Sequence, residues 1–338
     1  MSVRGTSRPV FLRGALLLVA LGGAMLLALG LGASPAGWSG IVDVLLGRAD
    51  EATRAIFLDV RLPRILLAAI VGAALAGAGT AFQAVLRNPL ADPYILGVSG
   101  GAALGAAIFT AISGGDPLGG PLARPVAAFA GALLTLVVLF RLARVRGRTG
   151  SMALLLAGVV LNAFDSAVIL FLLTVGDPSR FQGVMSFLVG SVGSPPWPVV
   201  GGVGAFVAAG LAVLLALSHR LNLLAFGEET AGHLGVDVER TTWAVVVGAS
   251  LVTAAAVSFT GLIGFVGLIV PHALRTVFGA DHRALLPASA LGGAAFLVLA
   301  DAGARTLVAP VELPVGVLTA LIGCPLFLAL FLRRLREA

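Results

Sequence analysis

The chain contains no lysine: all 22 of its basic residues are arginine. A P-loop of the form GxxxxGK[ST] places its lysine at the nucleotide phosphates, so this chain cannot carry a standard one. If its work uses ATP, the nucleotide and its Mg sit on another subunit, and no cofactor is expected here. Cysteine is nearly absent as well. Cys324 alone excludes an intrachain disulfide and a cysteine-built metal site. Charge is scarce at 11% of 338 residues, against roughly 25% in soluble domains. The four histidines, His219, His233, His272 and His282, fall in or beside connecting segments without metal-ligand spacing. No Ser-His-Asp or paired-carboxylate arrangement stands out, so no catalytic site is expected.

What the chain does have is apolar sequence, 59% of its residues, at a mean hydropathy of +1.06. It comes in uncharged runs of about twenty residues, the length that crosses a bilayer as a helix. Barrel strands would instead alternate in segments of about ten. The expectation is an all-α integral membrane protein, one transmembrane unit over residues 1–338. Candidate spans are 14–33, 64–86, 94–112, 125–142, 151–174, 197–217, 241–259, 261–279, 284–307 and 313–332. The run from Thr241 to Leu274 has no charged residue and is too long for one span, so it is divided at Gly261, Gly264 and Gly267. Ten spans place both termini on one side. With the N-terminus inside, most arginines, among them Arg4, Arg87, Arg146 and Arg240, fall in inner segments. Arg48, Arg54, Arg61, Arg64, Arg124, Arg180 and Arg305 fall outside, the bias that orients membrane proteins. The net charge of +6 is therefore read as topology, not nucleic-acid binding. Gly97, Gly101 and Gly105 recur every four residues on one face of the third span, a spacing that lets helices approach closely.

Several blocks go further. RLPRILLAAIVGAALAGAGTAFQAVLRNPLADPYILGVSGGAALG (61–105) is followed by FGEETAGHLGV (226–236), GLIGFVGLIVPHALR (261–275), ADHRALLP (280–287), LADAGART (299–306) and ELPVGVLTALIGCPLF (312–327). Together, in this order, they resemble the FecCD/BtuC family of ABC importer permeases over nearly the whole chain. The resemblance implies ten helices per subunit and a homodimer around a central path in the bacterial cytoplasmic (inner) membrane, with both termini cytoplasmic. It also implies two cytoplasmic ATPase subunits and a periplasmic or lipid-anchored substrate-binding protein. The cargo would be a metal chelate: iron–siderophore, haem or cobalamin.

Three sets of residues follow. The segment at about 225–238 holds Glu228, Glu229, Thr230, Ala231, Gly232, His233, Leu234 and Gly235. By sequence it is a short helix with acidic residues at its start and a glycine stop, which alone reads as a solvated connector; the family implies an ATPase-coupling helix. Arg61 and Arg64 lie one turn apart, and Arg305 follows Asp301 by four residues. They are either interfacial side chains and an intrahelical pair or, as the family implies, docking points for the binding protein's acidic residues. Asn162, Asp165 and Ser166 are spaced i, i+3, i+4 in the fifth span, where buried polar groups face a cavity or a partner. The family implies that this span lines the path, with a gate at Gly150 and Ser151. The alternatives are a stand-alone secondary transporter or channel, which needs ion-coupling residues in mid-membrane, and a membrane-embedded enzyme, which needs convergent catalytic groups. Asp165 is the strong candidate for the first; none presents itself for the second.

Overall fold

The computed structural model describes residues 7–32, 37–113, 120, 122–145, 148–176 and 182–337. Helix α1 spans Ser7–Gly30, α2 Trp38–Leu45 and α3 Glu51–Ala55; a π-type segment over Ile56–Arg61 leads directly into α4, Leu62–Val85. A 3-10 turn over Pro93–Leu96 precedes α5 (Val98–Ser113), and α6 covers Ala123–Ala143. A two-residue antiparallel ladder, β1 (Arg144–Val145) with β2 (Arg148–Thr149), closes the turn before α7 (Ser151–Val175). Then come α8 (Gln182–Val189), α9 (Trp197–Ala216), α10 (Ser218–Leu224), α11 (Glu228–His233), α12 (Val238–Thr260), α13 (Val266–Phe278), α14 (His282–Thr306) and α15 (Val315–Glu337).

Among the described residues, seven helices are long and apolar enough to cross a membrane, and Val98–Ser113, Val266–Phe278 and Val315–Ala329 are shorter apolar helices. Each of the ten expected spans coincides with one of these helices. Arg4, Arg146 and Arg180, used above for orientation, lie outside the described residues.

The divided run differs from expectation at one boundary. Helix α12 ends at Thr260 as anticipated, but α13 starts only at Val266. Gly261 and Phe265 both adopt φ +69°, which interrupts the helix. At 13 residues, α13 is roughly 20 Å long at 1.5 Å per residue. The intervening backbone is satisfied by another break in the bundle: Leu262 N donates to Phe187 O at 2.9 Å, Ser191 N to Thr260 O at 2.8 Å and Gly316 N to Gly190 O at 3.1 Å. Non-helical backbone is tolerated in a membrane protein where protein surrounds it and supplies such partners.

Helix α4 is the axis of the packing, touching α9, α12, α13 and α14. Its sequence explains this: after Pro63 it runs through Ala, Gly and small apolar residues, and eighteen of its positions are buried. A Cβ on Gly72 would collide with the Gly293 carbonyl of α14, and one on Gly293 with the Gly72 carbonyl. The two backbones are in contact, and only glycine allows that distance. The same holds where Gly101 and Gly105 of α5 meet α6 at Gly131 and Ala127, as their spacing anticipates. Gly97 instead ends the 3-10 turn at φ +85°. Cys324 is exposed on α15.

Candidate functional site

Two polar clusters mark opposite ends of the bundle. At one end, α4 begins and α14 finishes, so the antiparallel pair brings Arg64 against Asp301. The Arg64 guanidinium donates to both Asp301 oxygens (3.0–3.2 Å) and to Glu312 Oε2 (2.9 Å). Arg305 Nε donates to Asp301 Oδ2 at 3.1 Å, the i, i+4 pair anticipated within α14. Arg305 also donates to Leu31 O (3.2 Å) and Ala28 O (3.3 Å), and Arg61 donates to Leu29 O at 2.7 Å. Arg61 further lies 4.7 Å from the centroid of Phe57, within cation–π range. These carbonyls belong to the C-terminal end of α1, where the helix leaves acceptors unpaired and carries partial negative charge. Arg61 and Arg305 thus cap α1 and are each only 5% exposed. Of the trio, Arg64 has the least buried partner: the Glu312 side chain is 51% exposed. Glu312 and the role of Leu29 and Leu31 escaped sequence reading, because partners 32 to 274 residues apart leave no local spacing signal.

At the other end, α10 and α11 form a short bent pair. Gly227 turns the chain at φ +109° and Gly235 ends it at φ +84°. Ala231 is fully buried, whereas Glu229, Thr230, Gly232, His233, Leu234 and Gly235 are exposed. Phe226 and Leu234 carry exposed apolar surface on either side of α11. Glu228 points the other way. Its Oε1 accepts from Arg87 Nη2 at 3.1 Å and from Ser151 Oγ at 3.2 Å. Gly150 is the extended N-cap of α7, and Ser151 is its first residue. The anticipated coupling segment and the anticipated gate residues therefore touch.

Helix α7 is buried at Leu154, Gly158, Leu161, Asp165 and Ile169, and exposes Met152, Leu156, Val160 and Phe164. Asn162 Nδ2 donates to Tyr94 O at 2.7 Å, satisfying a carbonyl of the 3-10 turn. Asp165 is 3% exposed and faces α5, where a Cβ on Gly100 would lie 3.0 Å from its Oδ2. Ser166 is exposed. Of the three residues, Asn162 holds the 3-10 turn, Asp165 is buried against Gly100 of α5 with its Oδ2 unpartnered among the described residues, and Ser166 is exposed. Nearby histidines serve the fold: His282 Nδ1 lies 2.7 Å from Asn222 Oδ1, and His219 Nδ1 lies 3.0 Å from Arg283 Nη2.

An apolar helical bundle with interlocked breaks, and with a solvated helix wired to the first turn of a long exposed one, defines a membrane-embedded transport subunit. The chain belongs to the FecCD transport family, whose profile it matches over residues 16–333; it is an ABC transporter permease. It is 48% identical over 287 residues to the cobalamin import permease BtuC of Halobacterium salinarum (85% of this chain, 75% of that protein). It is 41% identical over 286 residues to the hemin transport permease HmuU of Yersinia pestis (84% and 85%). A solved inward-facing ABC transporter of the metal-chelate type superimposes with a TM-score of 0.82 at 31% identity, covering 95% of this chain and 99% of that one.

Proposed function

We propose that this permease forms a homodimer in the bacterial cytoplasmic membrane, with both termini inside, and imports a metal chelate using ATP bound with Mg by two separate ATPase subunits. The observation that carries the reading is α11: a solvated helix flanked by Phe226 and Leu234 and anchored by Ala231, on a chain whose missing lysine leaves nucleotide binding to a partner. Relatives named for cobalamin and hemin, and one named for ferric dicitrate, support the chelate class. Within it, iron chelates are the favoured cargo. The exposed apolar stripes of α7 and α15 suit a second copy and a path between the two. An external binding protein docks beside Arg61, Arg64 and Arg305.

The test is reconstitution in liposomes with the neighbouring ATPase and binding protein. The binding protein should stimulate ATP hydrolysis and drive uptake, and the ligand that co-purifies with it identifies the cargo. No stable complex and no stimulation would refute the importer reading and favour a stand-alone transporter.

A further inference from the structure

Glu228 joins three stretches that are remote in sequence. Its Oε1 receives the Ser151 hydroxyl at 3.2 Å and the Arg87 guanidinium at 3.1 Å. Ser151 Oγ also lies 3.1 Å from Val85 O, in the last turn of α4. Arg87 is one of two non-glycine residues described with positive φ, at +48°, a conformation that costs a side-chain-bearing residue energy. That backbone turn carries the guanidinium to the Glu228 carboxylate and lays it beside Gly227, where an added Cβ would lie 3.8 Å from Arg87 Nη1. The ends of α4, α7 and α11 thus meet on one carboxylate oxygen.

The covalent route from α11 runs elsewhere, into α10 and α12, against which α11 packs. Helix α7 packs instead on α5, α6 and the 3-10 turn. Because α12 itself packs on α5 and α6, an indirect route from α11 to α7 already exists; the Glu228–Ser151 hydrogen bond is a direct one beside it. We infer that Glu228 is a latch: displacement of α11 is transmitted to the first turn of α7 through this side chain, directly and not only through the helices continuous with α11. Glu228 and Arg87 are each 43% exposed, and pairs of that exposure are weak enough to break and remake. When the latch opens, Ser151 turns its single hydroxyl proton to the Val85 carbonyl, so α7 has a second arrangement without an unpaired hydroxyl. Two discrete arrangements biased from one site are what coupling between distant elements requires. The inference rests on α11 being the ATPase contact proposed above, and Glu228 acts as a positioning residue.

The experiment uses the full complex in liposomes and measures uptake and ATP hydrolysis separately. Ser151→Ala and Glu228→Ala should each lower uptake per ATP by about two- to thirtyfold, the span of such coupling changes, with ATPase association retained. The double variant should fall short of the product of the two singles, because they share one interaction. Ser151→Thr, which keeps the hydroxyl, should restore the ratio. Unchanged uptake per ATP in Ser151→Ala, multiplicative effects in the double variant, or loss of ATPase association in Glu228→Ala alone would overturn the latch. A wild-type complex with no stimulated hydrolysis would overturn the importer reading, and the latch with it.

Discussion

Asp301 serves two arginines at once, and it is nearly fully buried between them. Removing its charge leaves Arg305 enclosed without a counter-ion, the situation in which breaking a buried pair costs about 3–5 kcal/mol. Asp301→Asn should accordingly lower the thermal midpoint of the detergent-solubilised protein markedly. Glu312→Gln, whose carboxylate is half-exposed, should cost under about 1 kcal/mol in the same assay. This also decides how docking is probed. Charge reversal at Arg61 or Arg305 strikes the cap of α1, and at Arg64 the buried Asp301 carboxylate, so Glu312 is the position of this cluster at which docking is best separated from folding. Asp92, in the connection between α4 and α5, provides a pH signature. Its side chain accepts from Tyr94 N at 2.9 Å, but burial pushes its pKa up to about 6. A carboxyl raised in the folded state stabilises most when protonated, so its contribution is full below about 3.8 and lost as pH rises through 6. Asp92→Asn keeps the cap without the charge; its thermal midpoint relative to wild type should rise between pH 4 and pH 8. The Asp301–Arg305 pair was legible in the sequence because helical geometry fixes i, i+4 neighbours. Arg64–Asp301 and Arg87–Glu228, separated by 237 and 141 residues, were not, because only tertiary packing brings them together.

At the scale of elements, the spans were legible because hydrophobic run length is set by bilayer thickness. Where the backbone departs from a helix, run length carries no information. Gly261–Phe265 is as apolar as the helices it joins, and only the positive φ values and the partners at Phe187 and Ser191 define its path. Spacing likewise places Asn162, Asp165 and Ser166 on one stretch of α7 but does not foretell their burial, which the approach of α5 through Gly100 grades from buried Asp165 to exposed Ser166. The contact between α4 and α14 sets a sharp limit on substitution. Gly72→Val would drive a branched side chain into the Gly293 carbonyl. Overpacking of this kind costs typically about 1–3 kcal/mol, and more where backbone must move. The expected outcome is poor recovery from the membrane or a lowered thermal midpoint, with Gly14→Val as the control, since nothing lies within 4 Å of that position.

At the scale of the whole molecule, burial is unevenly distributed. Helix α4 is enclosed, while α7 and α15 present apolar side chains such as Leu156, Phe164, Leu321 and Leu328. Light scattering on the purified permease should give twice the 34.0 kDa chain mass, and Leu321→Glu should shift it toward a single copy if α15 lies at the contact. The interlocked breaks also impose an order on biosynthesis. The Gly190 carbonyl finds its partner at Gly316 N, and the turn after α8 rests on backbone that emerges at Thr260 and Leu262. Until α15 is in place the Gly190 carbonyl lacks this partner. The α8 turn is therefore completed only by the helix that follows α14, a contact that forms late in the order in which the chain emerges.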